Sequence, residues 1–245
     1  METAKYKLSL IMLFFCIASI RADYSSEIYR AYVENKMQNW KLIIDRMGVI
    51  KNKNNAQVLE LLNYQYGYVA WCIGNKKDDE AEKYLDLAEK NVAFLESQKY
   101  CISMVYSYKA AFYGYRIGLH PFIAPFIGQK SSDYAKLAIK IDGKNPFGYI
   151  QFGNVQYYMP EIFGGSKNIA LKNYLKAKEL MEKKADFIEE DWNYLSLLTI
   201  LAKAYWDLGD LQSAKLYFEK IMIITPEYDW VKKEMYPLLM KSIKK

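Results

Sequence analysis

The chain has 245 residues, with 34 Lys and Arg against 28 Asp and Glu, a single His, three Cys and a net charge of +6 at neutral pH. One histidine excludes a multi-histidine metal centre, and three cysteines in a chain of this length exclude a small disulfide scaffold. The basic residues are dispersed and their excess is mild, which argues against a nucleic-acid partner.

Residues 1–22 read as an export signal, with Lys5 and Lys7 ahead of an apolar run from Leu8 to Ile20 and cleavage after Ala22. That run is too short to span a membrane, which needs roughly 20 apolar residues. Cys16 raises the rival of a lipid anchor, but Phe15 stands where that processing wants a small residue. Removal is preferred over a lipid anchor, and a lipid anchor over a retained helix. Removal takes three basic residues and one acidic one, so residues 23–245 carry a net charge near +4 and no stable membrane span. They are read as a single domain.

In chain order, Ser25-Ser26-Glu27 can cap a helix whose Ile28, Tyr32, Trp40 and Ile43 form an apolar face. Four helix pairs follow, starting near Asn55, Lys99, Pro146 and Asp191. Each first helix carries a small residue among large ones: Tyr66-Gly67-Tyr68, Tyr113-Gly114-Tyr115, Phe152-Gly153-Asn154 and Leu201-Ala202-Lys203. The second helices share a spacing too, in Ala81/Leu85/Ala88, Ala170/Tyr174/Ala177 and Ala214/Phe218/Ile221, with Ser131, Ala135 and Ala138 as a weaker version. Two connections are longer and apolar: Leu119 to Gly128, with Phe122 and Phe126, and Met159 to Gly165, with Ile162 and Phe163. Their prolines and glycines make them defined turns. Tyr228 to Lys245 reads as a closing helix interrupted by Pro237, and Cys72 and Cys101 as two buried free thiols in preference to the disulfide an export compartment would allow.

The last pair has the most informative spacing, Leu198-Leu201-Ala202-Tyr205-Gly209-Ala214-Phe218-Pro226. Leu198, Leu201 and Tyr205 share one helix face, Gly209 supplies the turn, and Ala214 lets the second helix approach while Phe218 fills the gap. With Leu198 in place of Trp and Ala202 in place of Gly, this spacing resembles the tetratricopeptide repeat family. The segments Tyr113–Leu119, Gly153–Pro160 and Phe163-Gly164-Gly165-Ser166 are similar to exported bacterial members. A weaker similarity is to the tetratricopeptide lipoproteins that accompany TRAP-type transporters. The resemblance implies an all-α, right-handed solenoid of about four helix pairs with capping helices, and a non-catalytic scaffold.

In such a repeat the first helices line the concave face. That implies a groove from Tyr64, Tyr68 and Trp71, from Tyr115, from Asn154, Tyr157 and Tyr158, and from Lys203, Trp206 and Asp207. Aromatic area with a few orienting polar groups is the composition of a binding groove. The apolar turns with Phe122, Phe126, Ile162 and Phe163 offer a second surface, or else fold back to cover the solenoid's own edge. The leading expectation is a periplasmic or secreted scaffold that binds a protein or peptide in an envelope assembly. The alternative is a small-ligand binder or transporter accessory, with a small apolar ligand in the aromatic groove. No enzyme, cofactor or metal is expected: there is no phosphate-cradling glycine motif, and His120, alone in a turn, has a packing or solvent-exposed role. Glu189-Glu190-Asp191 is expected to favour the positive end of a helix.

Overall fold

A computed structural model describes residues 24–185 and 188–244, so the export signal read at residues 1–22 lies outside the described residues. Among the described residues the chain is all-helical, without strands, and its helices pack in neighbouring pairs. An N-terminal hairpin is made of α1 (Tyr24–Val33) and α2 (Met37–Gly48). Four pairs follow: α3 (Asn55–Gly74) with α4 (Asp78–Ser97), α5 (Ile102–Leu119) with α6 (Ala124–Ile141), α7 (Pro146–Tyr158) with α8 (Lys167–Met181), and α9 (Trp192–Asp207) with α10 (Leu211–Ile224). A π-helical turn at Trp230–Met235 leads into α11 (Tyr236–Ile243).

Local chemistry sets these boundaries. Asn54 and Gln57 form a reciprocal capping box at α3, the Asn54 side chain accepting from Gln57 N at 2.9 Å and Gln57 accepting from Asn54 N at 3.0 Å. Asn145 caps α7 ahead of Pro146, Asp191 caps α9 through Tyr194 N at 3.0 Å, and Asp210 caps α10 through Ser213 N at 3.0 Å. Gly209 takes a φ of +82°, as its place in the turn requires, and α10 stops at Ile224 just before Pro226.

Each first helix packs on its own second helix, and α4, α6 and α8 pack on the first helix of the next pair. All four first-to-second turns therefore lie along one edge and the connections between pairs along the other. The buried side chains fall into two cores. One gathers Trp40, Tyr68, Tyr84 and Tyr108 from α2 to α5, and the other gathers Tyr174, Leu198, Leu201 and Phe218 from α8 to α10. Two side chains cross over: Val33 of α1 belongs to the second core and Trp192 of α9 to the first. The indole of Trp40 donates to Tyr64 O at 2.9 Å and meets Trp192 at 5.0 Å, while Tyr32 sits 5.9 Å from Trp192 and 5.3 Å from Tyr228. The N-terminal hairpin thus bridges the first and last pairs.

Several expectations need correction. Ser25 and Ser26 lie inside α1, and the expected long first helix is broken between Val33 and Met37, where Asn35 takes a φ of +54°. Pro237 sits just after the π-helical turn, in the first turn of α11, so the closing segment changes from π to α next to the proline and is not broken there. The first insertion is mostly helical, because a short 3-10 turn at Pro121–Ile123 runs directly into α6. Cys72 is a buried free thiol as expected, whereas Cys101 is exposed ahead of α5 with a φ of +45°.

Candidate functional site

The C-terminal halves of α7 and α9 bring several candidate residues together. Tyr157 donates to Asp207 Oδ2 at 2.6 Å, and Lys167, in the first turn of α8, reaches the same carboxylate at 3.2 Å. Burial opposes ionisation of Asp207, but these contacts and nearby Lys203 outweigh it and hold the carboxyl below its ordinary range. Tyr158 stands edge-on to Tyr157, with ring centroids 4.9 Å apart. One turn earlier Asn154 accepts from Tyr174 at 2.9 Å and donates to Gln151 at 3.0 Å, and Gln151 in turn donates to Tyr66 Oη at 3.1 Å. Tyr66 stacks on Tyr115 at 5.6 Å and 14°.

Tyr115, Asn154, Tyr157, Tyr158, Lys203 and Asp207 thus gather around α5, α7 and α9. Tyr66, Gln151, Tyr174 and Lys167, which the sequence reading passed over, complete the network. Burial pushes the phenols of Tyr66 and Tyr115 above the usual tyrosine range. They stay protonated at neutral pH and offer O–H donors and aromatic faces, with no phenolate nucleophile among them.

Tyr68, Trp71 and Trp206 lie elsewhere. Tyr68 is fully buried, packs at 5.0 Å against Tyr84 of its own pair and donates to Glu80 at 2.9 Å, so it presents no surface to a ligand. Trp71 stacks on Tyr68 under Lys77, and Trp206 packs half-buried on the second core. Tyr64 is buried as well, its hydroxyl held by Glu60.

A Cβ at Gly153 would come within 2.5 Å of Tyr174 on its own second helix, whereas one at Gly67 would meet Trp192 at 2.6 Å and Trp40 at 2.7 Å. Gly67 therefore faces the bridging hairpin and not its own pair, a different direction from Gly153. Tyr68, about 100° further round the helix, is what turns onto the partner helix.

The two apolar turns stay bare. Phe122 is 74% exposed, Phe126 78%, Ile162 86%, Phe163 71% and Tyr158 69%. This removes the alternative in which they fold back over the edge of the helix pairs. The α7–α8 turn is tightly built: Gly164 has a φ of +93°, and a Cβ on Gly165 would strike Met159 O at 1.7 Å. Its side chains are held outward by a fixed backbone. Because α6 runs back from this edge and packs against α7, Phe126 in its first turn and Tyr158 at the end of α7 belong to the same edge. His120, at the end of α5, has its ring 5.8 Å from that of Phe122 and its Nε2 2.6 Å from Glu82 Oε1.

A cleft of about 860 Å³ lies elsewhere, between α1, the approach to α9 and the end of α10. Its walls carry Glu34, Glu189, Glu190 and Glu227 against Arg30 and Lys220. Glu190 accepts from Ser26, and Lys220 is taken up by Glu182. Asp191 caps α9 as the acidic run was expected to, while Glu189 and Glu190 line this cleft. Tyr29 shares a hydrogen bond with Thr225 and Tyr194 donates to Glu182 along the same walls, and carboxylates outnumber cations there. The bare aromatic edge is the stronger candidate.

No known protein family matches this chain, and neither does any curated protein. Among solved structures it is similar to the HusA haemophore from Porphyromonas gingivalis, with a TM-score of 0.59 at 16% identity, over 76% of this chain and 93% of that one. At that identity the likeness is one of fold.

Proposed function

We propose that this chain is an exported, non-enzymatic binding protein of the tetratricopeptide kind, its four helix pairs forming a right-handed solenoid, and that it captures a planar, largely apolar ligand of the haem class. The observation that carries the reading is the row of Phe122, Phe126, Tyr158, Ile162 and Phe163, exposed on two adjacent turns of one edge. A monomer rarely leaves so many large apolar side chains together in water without a use for them. The haemophore fold supports this choice of ligand. Rings and branched aliphatics suit the face of a flat ligand, and Lys167, over the ring of Tyr157, with Lys203 near Asp207 suits its carboxylates. Titrating the purified chain with hemin while following tyrosine and tryptophan fluorescence tests this: saturable quenching at micromolar ligand or below supports it, and a linear, unsaturable decline contradicts it.

A second reading, docking of a protein or peptide partner in an envelope assembly, is favoured by the same turns standing out from the fold and not enclosing a pocket. It predicts that hemin neither saturates the edge nor competes with the partner.

A further inference from the structure

We propose that His120 supplies the protein ligand to the iron of ferric haem bound at the turn edge, an inference that rests on the haem reading above. His120 is the only histidine in the chain. Its imidazole is partly exposed beside the bare ring of Phe122, at the end of α5 and four residues ahead of the first helical turn that carries Phe126. An imidazole at the border of an apolar aromatic surface matches what ferric haem requires, a nitrogen donor to the metal next to a face for the macrocycle.

Glu82 holds Nε2 at 2.6 Å, and both side chains are about two-fifths exposed. Contacts between exposed groups of this kind are weak, so the imidazole can exchange the carboxylate for iron at little cost. The exchange would be a change of ligand: Nε2 would give its lone pair to the iron, the proton shared with Glu82 would leave to solvent or stay on the carboxylate, and no electron would be transferred. The tyrosines nearest the edge are poorer donors to the metal. Ligation by a phenol first requires loss of a proton whose ordinary pKa is about 10.

The test compares hemin with metal-free protoporphyrin IX on the full chain and on His120→Ala, read by absorption and by electron paramagnetic resonance. The expected result is that both proteins bind metal-free protoporphyrin IX within about twofold of each other. With hemin, His120→Ala is expected to lose the nitrogen-ligated Soret and spin-state signature and to bind at least about tenfold more weakly. Added imidazole should restore the signature in the variant, which a merely structural role for His120 would not allow. Identical hemin spectra in the two proteins would overturn the assignment while leaving the haem reading intact, and failure of the parent chain to bind either ligand would overturn the haem reading itself.

Discussion

The α3–α4 pair and the α7–α9 region start from similar sequence material and use it in opposite ways. Both place aromatic residues next to a small one in a first helix. At α3 the N-terminal hairpin and Trp192 press against Gly67, so Tyr68 is driven onto its own partner helix, Tyr64 is covered, and the aromatic surface becomes core. At α7 the glycine is filled by Tyr174 from within the pair, Asn154 accepts the Tyr174 hydroxyl, Tyr157 reaches across to Asp207, and Tyr158 remains in water. What a repeat position does therefore depends on which neighbour covers it, and the covering neighbour here comes from far away in the chain.

Removing that neighbour should break the contrast most. Trp40→Ala empties a fully buried indole site and removes its hydrogen bond to Tyr64 O, with an expected cost of about 3–5 kcal/mol. The cost should be read by denaturant unfolding, and a loss below about 1 kcal/mol would mean that the hairpin does not hold the first and last pairs together. Next come the glycines. Gly67→Ala and Gly153→Ala each force an aromatic ring to move, at about 1–3 kcal/mol. Combining Gly67→Ala with Trp40→Ala should relieve part of the strain, and combining Gly153→Ala with it should not, a difference that a double-mutant cycle measures. Ala214→Leu, at a fully buried position in the last pair, should cost about 1–3 kcal/mol by overpacking, and an unchanged melting temperature would contradict the packing of α10 on α9.

The smallest stability effect is electrostatic. Burial opposes the ionisation of Glu182, but Lys178, Lys220 and Tyr194 hold its carboxyl down from 4.5 to about 2. A depressed acid stabilises the fold above its unfolded value and loses that contribution as the pH falls through its folded one. The melting-temperature gap between the parent chain and Glu182→Gln should therefore be full at pH 6 and close between about pH 4.5 and 2. A gap that stays constant over that range would contradict the linkage.

Much of the helical frame was legible because its signals are local. Asn54 with Gln57, Asn145 with Pro146, Asp191 and Gly209 act through their own backbone neighbours, and helix starts read near Asn55, Pro146 and Asp191 fall within a residue of those observed. The positions of the apolar turns were legible from their prolines and glycines, but only their exposure in the structure decides whether they fold back over the edge. What escaped was set by distant partners. The break at Asn35 has no glycine or proline to announce it, and the bridge from Trp40 to Trp192 spans most of the chain. Tyr66 was visible beside Gly67, but choosing it over Tyr68 required knowing that Gly67 faces Trp192 and not α4. Tyr174 reads only as a packing residue in the Ala170/Tyr174/Ala177 spacing, and Gln151 carried no signal of its own, because a hydrogen-bond chain through three helices has no sequence spacing.

The central claim is that the bare turns, and not the aromatic face of α3, take the ligand. The most direct test measures protoporphyrin capture by the full chain carrying Phe122→Ser with Phe163→Ser, beside a Trp71→Ala variant. Both serines replace exposed side chains, so stability should stay within about 0.5 kcal/mol. The account predicts that the double variant binds at least about tenfold more weakly at an unchanged melting temperature while Trp71→Ala binds as the parent does; full capture by the double variant, or loss confined to Trp71→Ala, would contradict it.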